Sequence, residues 1–183
     1  MDKYLVDLDK IISEVNKENK IPMIICGVRK ITDKFIAISK NKDQIIGSIE
    51  GNFDISTEHE IFIKVEPVLH KKIQAEEGKT LDLLEDAVSK RTCASGINEV
   101  WKMVMEKRGR LLIVEKDYHC PGKLGNNKYT LITKNLEENG SHLLPDAVDD
   151  IIEMTLLYGG DVVFVNNGAL KEHQGIALIT YYA

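Results

Sequence analysis

The stretch PDAVDDIIEMTLLYGGDVVFVNNGALKEHQGIALITYY, residues 145–182, decides the fold of the C-terminal part of the chain. Its apolar residues first recur at helical spacing, which predicts a helix with Pro145 in its first turn and a glycine stop at Gly159. Residues 162–165 (VVFV) are a continuous apolar run, typical of a strand that is covered on both faces. Residues 175–182 (GIALITYY) predict a second buried strand. The order helix, turn, strand, loop, strand describes a core module.

The residues before this module continue the pattern. Helical apolar spacing begins at Thr80 and again at 97–104, and residues 110–115 (RLLIVE) predict a strand. Residues 91–95 predict a connector, and residues 116–144 predict an insert that forms a small hairpin or a mobile loop. Helices that alternate with buried strands predict an α/β fold, here a three-layer α/β/α domain with helices on both faces of a sheet.

A smaller set of α/β elements precedes this domain. Residues 3–17 carry one apolar face and predict an amphipathic helix. Residues 21–28 predict a buried strand, 29–39 a helix and 44–49 another strand. The N-terminal part is therefore α/β as well.

A further helix closes the N-terminal part. Ser56 is its predicted N-cap, and Pro67 predicts a kink or a break. The polar segment 74–79 contains a glycine and predicts the end of this helix and the best internal boundary. The predicted domains are accordingly 1–76 and 77–183.

Composition restricts the function classes. The chain of 183 residues has 24 basic and 29 acidic residues and a formal net charge of −5, so only a local basic patch would attract RNA. The three cysteines, Cys26, Cys93 and Cys120, are odd in number and scattered, which favours a reducing cytoplasm. No apolar run reaches the roughly 18 residues of a membrane span, and the N-terminus does not resemble a signal peptide.

Two segments of the C-terminal part resemble a known family. Residues 97–118 (INEVWKMVMEKRGRLLIVEKDY) and 146–182 look like the C-terminal domain of the archaeo-eukaryotic peptide-chain release factor superfamily. This superfamily includes the class-I release factors of eukaryotes and archaea, Pelota and bacterial homologues. The resemblance implies a fold like release-factor domain 3, which is similar to ribosomal proteins that bind kink-turns.

The N-terminal part carries a second resemblance. Residues 20–28 (KIPMIICGV), 35–41 (FIAISKN) and 45–54 (IIGSIEGNFD) look like the later part of the preceding domain of the bacterial members. The resemblance implies part of a ribonuclease-H-like α/β domain at 1–76. Together the two resemblances cover most of the chain, which corresponds to the C-terminal half of a longer relative.

The same resemblance implies a non-catalytic function. Release factors hydrolyse peptidyl-tRNA with a GGQ loop, but the adjacent glycine pair here, Gly159–Gly160, is followed by Asp161. The last strand has Thr180 and Tyr181 where the family has Arg-Tyr, so a contact by that arginine is not expected. The resemblance thus implies a non-catalytic binding module without metal or cofactor, docking on the ribosome, its RNA or a translational GTPase. Self-association through exposed apolar surface is a further expectation.

The candidate RNA or partner contacts are basic. Lys102, Lys107, Arg108 and Arg110 cluster at a predicted helix C-terminus, where they would complement the helix dipole or contact phosphates. Lys116 and Lys123 make the insert locally basic. A solvated basic face is the alternative for both groups.

Two turns are candidate ligand sites. Gly159 and Gly160 would allow a close approach to the backbone, although a helix C-cap is the favoured explanation for them. Asn166, Asn167 and Gly168 follow a strand at its carboxyl end, where α/β sheets bind ligands, although an ordinary turn has the same composition.

Catalytic and metal candidates are weaker. His119 and Cys120 are adjacent in the insert, and Cys93 or His142 would have to join them around a metal, but their spacing fits no zinc pattern. An acidic cluster follows Pro145 in the predicted helix, with a solvated helix start as the alternative. Its members are Asp149, Asp150 and Glu153.

The alternative function is a metal-dependent nuclease, or a small-ligand-binding protein that reuses the fold. A nuclease needs several carboxylates at one metal site. The available acids of the N-terminal part are Asp33, Asp43, Glu50, Asp54 and Glu58.

Overall fold

The computed structural model of the chain describes residues 2–17, 20–134, 136 and 143–182. It contains two compact units, Met1–Glu76 and Glu77–Ala183. The helices are α1 (Asp2–Val15), α2 (Arg29–Ile38), α3 (Glu58–Ser89), α4 (Ile97–Met105) and α5 (Ala147–Leu157). The strands are β1 (Met23–Gly27), β2 (Ile45–Glu50), β3 (Cys93–Ser95), β4 (Gly109–Glu115), β5 (Gly122–Leu124), β6 (Leu131–Ile132), β7 (Leu143–Leu144), β8 (Asp161–Val165) and β9 (Ile176–Thr180). Short 3-10 turns lie at Lys42–Gln44 and Lys171–His173.

The N-terminal unit is built on two parallel strands, β1 and β2. Its core includes Leu5 of α1 and Phe35 of α2, which are 2% and 3% exposed. The predicted apolar face of the first helix is only partly buried, because Tyr4, Ile11 and Val15 are well over half exposed. A two-stranded sheet is too narrow to cover the whole face of a helix of this length.

A buried carboxylate ties α1 to the end of α2. Oδ1 of Asp9 accepts hydrogen bonds from Ser39 Oγ at 2.5 Å and Asn41 Nδ2 at 2.9 Å, and Oδ2 accepts from the backbone N–H of Lys40 at 3.0 Å. Burial is the largest single effect and raises the pKa of Asp9, but the hydrogen bonds together outweigh it and hold that pKa below its usual value.

α3 is one helix of 32 residues, which corrects the predicted N-cap at Ser56, the predicted helix end at 74–79 and the break that Pro67 could have caused. Thr57, not Ser56, caps it: Thr57 Oγ1 accepts from the N–H of Glu60 at 3.3 Å, and Glu60 Oε2 accepts from the N–H of Thr57 at 2.8 Å. Pro67 and Gly78 both lie inside the helix without ending it. An interior glycine costs about 1 kcal/mol and a proline about 3 kcal/mol in a helix, and α3 continues through both residues.

The C-terminal unit contains a four-stranded sheet in the order β3-β9-β4-β8. β4 and β8 are parallel, and β9 runs antiparallel to β3 and β4. On one face, α4 and α5 pack their buried residues Val100, Trp101 and Ile151 over the sheet. On the other face, Leu84 and Ala87 of α3 pack over it. These are the three layers that the sequence predicts.

Three local predictions for this unit are wrong. Residues 91–95 are not merely a connector, since β3 pairs antiparallel with β9 and forms an edge of the sheet. Asp146 caps α5, accepting from the N–H of Val148 at 3.0 Å, so Pro145 lies before the helix. Phe164 is 52% exposed because β8 is the other edge strand, so this apolar run is not covered on both faces.

The insert contains a small antiparallel sheet in the order β6-β5-β7, in place of a simple hairpin. Trp101 joins it to the core, because its indole N–H donates to the carbonyl of Lys128 at 2.9 Å. In the part of the chain that the structure describes, no helix has the length and apolar character needed to cross a membrane.

Candidate functional site

Three predicted site residues, Lys107, Arg108 and Arg110, meet at the end of the sheet where β4 and β8 begin. We call the surface formed by Lys107, Arg108, Arg110 and the rings of Tyr158, Tyr181 and Tyr182 the basic–aromatic face. The chain turns here after α4: Lys107 adopts φ 59°, its N–H donates to Val104 O at 2.8 Å, and the N–H of Arg108 donates to Met103 O at 3.0 Å. This Schellman turn aims two successive basic side chains away from the helix.

Both of these side chains lie over aromatic rings. Lys107 Nζ is 4.8 Å from the centroid of the Tyr158 ring, and the guanidinium carbon of Arg108 is 4.8 Å from that of Tyr182. Arg108 also donates to the carbonyl of Tyr182 at 3.0 Å and faces Glu106 at 3.6 Å. Arg108 is thus largely committed to its neighbours, and its buried Nε has no hydrogen-bond partner among the described residues.

Arg110 differs from Arg108. It points outward from β4 and lines a cleft of about 350 Å³ together with Lys90 and Tyr181. Lys90 is paired with Asp86, whose Oδ2 is 2.6 Å from its Nζ. Within the described residues, no ion pair or hydrogen bond engages the guanidinium of Arg110, so its charge is available to a ligand.

The opposite end of the same strands holds the asparagine turn. Lys116 Nζ donates to Asn166 Oδ1 at 2.8 Å, while Asn166 donates from its backbone N–H and its side chain to the carboxylate of Glu77 at 2.8 and 2.6 Å. Asn167 pairs with Asp117 through a backbone bond of 3.1 Å and an amide–carboxylate bond. We call these five residues the strand-end network. Its polar groups bind one another, which fixes the loops and leaves few groups for a ligand.

The remaining predicted contacts are distributed over other elements. Lys102 is exposed on α4 and Lys123 lies half-buried on β5. Gly159 has φ +83° in the turn after α5, and Gly168 has φ +87° in the turn after β8. Gly160 packs so closely that a Cβ would lie 2.9 Å from the carbonyl oxygen of Gly109. The glycines thus have a structural explanation.

The catalytic candidates do not assemble. The ring of His119 contacts the carbonyl of Asp117 at 2.9 Å, whereas Sγ of Cys120 faces the carbonyl of Pro121 at 3.6 Å. Burial raises the pKa of the Cys93 and Cys120 thiols, so both resist forming the reactive thiolate. His142 lies outside the described residues.

The acidic candidates do not form a metal site either. Burial first, and then the neighbouring carboxylates of Glu153, Asp149 and Asp146, raise the pKa of Asp150. In the described ranges, no group of three or more His, Cys, Asp or Glu side chains is placed to hold a metal ion. The acids that a nuclease would need are therefore not gathered at one point in the described chain.

Sequence reasoning missed the aromatic half of the basic–aromatic face and one polar pair. The sequence pattern extends the last strand through Tyr181 and Tyr182, but β9 ends at Thr180 and both residues are more than half exposed. Ser95 Oγ and His173 Nδ1 lie 2.7 Å apart although 78 positions separate them in sequence. The apolar residues continue to Tyr182, so the sequence alone does not show that β9 ends at Thr180.

Comparison with known sequences identifies the family. The sequence model of bacterial archaeo-eukaryotic release factor family 3 matches residues 1–108, more than half of the chain. The protein belongs to this family. The release-factor resemblance of the sequence is thereby confirmed. Comparison with curated proteins gave no match.

Solved structures show the same fold at low identity. Archaeal Pelota, in a model of ribosome-bound archaeal Pelota and ABCE1, matches 98% of this chain and 49% of its own, with a TM-score of 0.67 and 19% identity. Dom34 of S. cerevisiae, a translation termination-like factor that interacts with Hbs1, matches 99% of this chain and 52% of its own, with a TM-score of 0.59 and 13% identity. The family member thus spans about half the length of these relatives, and the shared property is a mixed α/β fold.

Proposed function

We propose that this release-factor family member is a non-catalytic binding module of translation, which docks on the ribosome or on a translational GTPase. The observation that carries the proposal is family membership together with a fold similar to ribosome-bound archaeal Pelota over 98% of the chain. The sequence contains no GGQ motif. Among the described residues, no group of three or more His, Cys, Asp or Glu side chains is placed to hold a metal ion, so neither feature that would favour an enzyme is found there.

In this proposal, the two units take the places of two release-factor domains. Residues 77–183 correspond to the C-terminal domain, and residues 1–76 correspond to part of the ribonuclease-H-like middle domain. The parallel pair of β1 and β2 with α1 and α2, and the three-layer sheet of the second unit, support this assignment. In Dom34, the factor that interacts with Hbs1, about half of the chain has the matching fold.

The docking contact is placed on the basic–aromatic face and the adjacent α4. Lys102 and Lys107 are exposed there, and phosphate contacts require no more than such side chains near the RNA backbone. The strand-end network is the weaker candidate because its polar groups are bonded to one another.

Sedimentation with purified bacterial ribosomes tests this proposal. The protein should pellet with vacant or stalled ribosomes, and the double variant Lys102→Glu/Lys107→Glu should pellet several-fold less. The matched control Lys79→Glu/Lys171→Glu makes the same charge change at exposed positions away from α4 and should behave as wild type. A protein that stays in the supernatant with both kinds of ribosome, and captures no translational GTPase from extract, would contradict the proposal.

A further inference from the structure

The cleft beside Arg110 has the features of a site for one nucleotide. Its volume of about 350 Å³ lies at the lower end of the range of small-ligand sites. Its floor is apolar, with Ala87 and Ile179 buried beneath it. Its rim carries the guanidinium of Arg110 and the ring of Tyr181. The cleft is thus lined by both a cationic and an aromatic side chain.

The cation at this rim is available for binding. The charge of Lys90 is shared with Asp86 and that of Arg108 with Glu106, but the described residues supply no partner for Arg110. Arginine presents a planar fork of donors that matches the oxygens of a phosphate. Asp86 is the acidic group of the cleft, and its contact with Lys90 reduces its repulsion of an anion.

The aromatic ring is held in place before any ligand arrives. The backbone N–H of Tyr181 donates to the carbonyl of Arg108 at 3.1 Å, and its hydroxyl donates to the carbonyl of Gly159 at 3.4 Å. Tyr181 as a whole residue nevertheless remains 55% exposed. A ring that is anchored at both ends and open on its surface can stack on a base with little loss of side-chain entropy.

We propose that this cleft binds one nucleotide of single-stranded RNA, with the phosphate on Arg110 and the base stacked on Tyr181. This inference rests on the proposed function, which brings the chain to RNA, and names the ligand of the same face. Stacking requires a base that has left its helix, so the site should prefer single strands to duplexes. The cation–aromatic pair Lys107–Tyr158 belongs to the same face, and its exposed lysine would contact a neighbouring phosphate.

Fluorescence anisotropy with the full chain tests the site. The probe is a labelled RNA of about 12 nucleotides, within the usual site sizes of single-strand binders. Tyr181→Ala should weaken binding roughly 5- to 100-fold, the range of one lost stacking contact. Tyr181→Phe keeps the ring and should bind like wild type. Arg110→Ala should weaken binding and reduce the dependence of log K on log salt by about one contact.

Controls separate a local loss from general effects. Lys79→Ala removes the same charge from an exposed helix position and should leave RNA affinity unchanged. Circular dichroism and the melting temperature of each variant verify folding, and a fully paired RNA of equal length should bind more weakly than the single strand. The inference is overturned if Tyr181→Ala and Arg110→Ala bind the RNA like wild type, or if the duplex binds better. Ribosome sedimentation without any affinity for the oligonucleotide would overturn this inference alone and leave the proposed function standing.

Discussion

Asn166 donates two hydrogen bonds to the two carboxylate oxygens of Glu77, from its backbone N–H at 2.8 Å and from its side-chain amide at 2.6 Å. The pair links the loop after β8 to α3 within the C-terminal unit. Lys116 also contacts this asparagine, because its Nζ donates a hydrogen bond to the side-chain Oδ1 of Asn166 at 2.8 Å. The composition of the turn 166–168 suggests a ligand site, but its hydrogen bonds first hold the loop against α3.

Removal of the Asn166–Glu77 contact should reduce the stability of the protein. Asn166→Ala should lower the free energy of unfolding by about 1 kcal/mol, the usual worth of a partly exposed hydrogen-bonded contact. Urea denaturation followed by the fluorescence of Trp101, the single tryptophan, reports on this unit. Asp82→Ala, at an exposed position of α3, is the control and should change stability little. Equal stabilities of Asn166→Ala and wild type would show that the network does not hold the loop.

The buried Asp9 gives the N-terminal unit a dependence on pH. Hydrogen bonds outweigh burial and lower the folded-state pKa of Asp9, so its contribution is present above the unfolded value of 3.8 and is lost as pH falls through the folded pKa. Asp9→Asn should cost about 1.5–3 kcal/mol at pH 7, because an amide cannot accept all three bonds, and the difference should shrink below pH 3.8.

Denaturation followed by far-UV circular dichroism, with hydrogen exchange of residues 2–45, measures this effect at pH 7 and at low pH. Asp7→Asn is the control, because Asp7 is an exposed carboxylate of the same helix that pairs with Lys10 at 3.1 Å. An Asp9→Asn penalty that stays constant down to acid pH would rule out the carboxylate as its source.

Local patterns in the sequence predict most of the elements. The spacing of apolar residues and the positions of the turn residues are sufficient to predict β4 and α5. Leu112, Val114 and Ile151 are apolar at the spacing of the element they form, and they are buried there. The three layers follow from the alternation of such elements. The resemblance to release factors rests on the segments that contain these core residues, whereas the family model matches residues 1–108.

Effects of tertiary context are where local patterns fail. Local pattern predicts that Gly78 ends the helix and that Pro67 kinks or breaks it, but α3 continues through both residues. Phe164 reads as core, but no strand follows β8 at the edge of the sheet. At the candidate site, the basic residues are visible in the sequence, while the contact of Arg108 with Tyr182, 74 positions away, is not.

Arg91 offers a gain in stability. It ends α3 in a Schellman turn with φ 58°, where its N–H donates to Val88 O at 3.0 Å and the N–H of Thr92 donates to Ala87 O at 2.9 Å. Residues with a Cβ pay roughly 1 kcal/mol or more in this conformation, and glycine does not. Arg91→Gly should therefore raise the free energy of unfolding by about 1 kcal/mol, measured by urea denaturation. Arg91→Ala keeps the Cβ and should give no such gain; an equal gain in both variants would refute the conformational explanation.

Gly159 and Gly160 are glycines for two different reasons: Gly159 for its backbone conformation and Gly160 for the lack of space for a side chain. Gly159 has φ +83° with no atom within 4 Å of an added Cβ, whereas a Cβ on Gly160 would lie 2.9 Å from both Gly109 O and Thr155 Cγ2. Gly159→Ala should therefore cost only the roughly 1 kcal/mol of an unfavourable backbone conformation. Gly160→Ala has to displace backbone atoms where β4 and β8 begin and should cost more, about 1–3 kcal/mol.

Urea denaturation of both variants, followed by Trp101 fluorescence, orders the two penalties. Gly78→Ala is the control, since it lies in α3 with no atom within 4 Å of an added Cβ and should be stabilising by about 1 kcal/mol. Ribosome sedimentation of Gly159→Ala should remain at the wild-type level, because its C-cap role is structural. A loss of ribosome binding in a folded Gly159→Ala protein would instead restore this glycine as a contact with the partner.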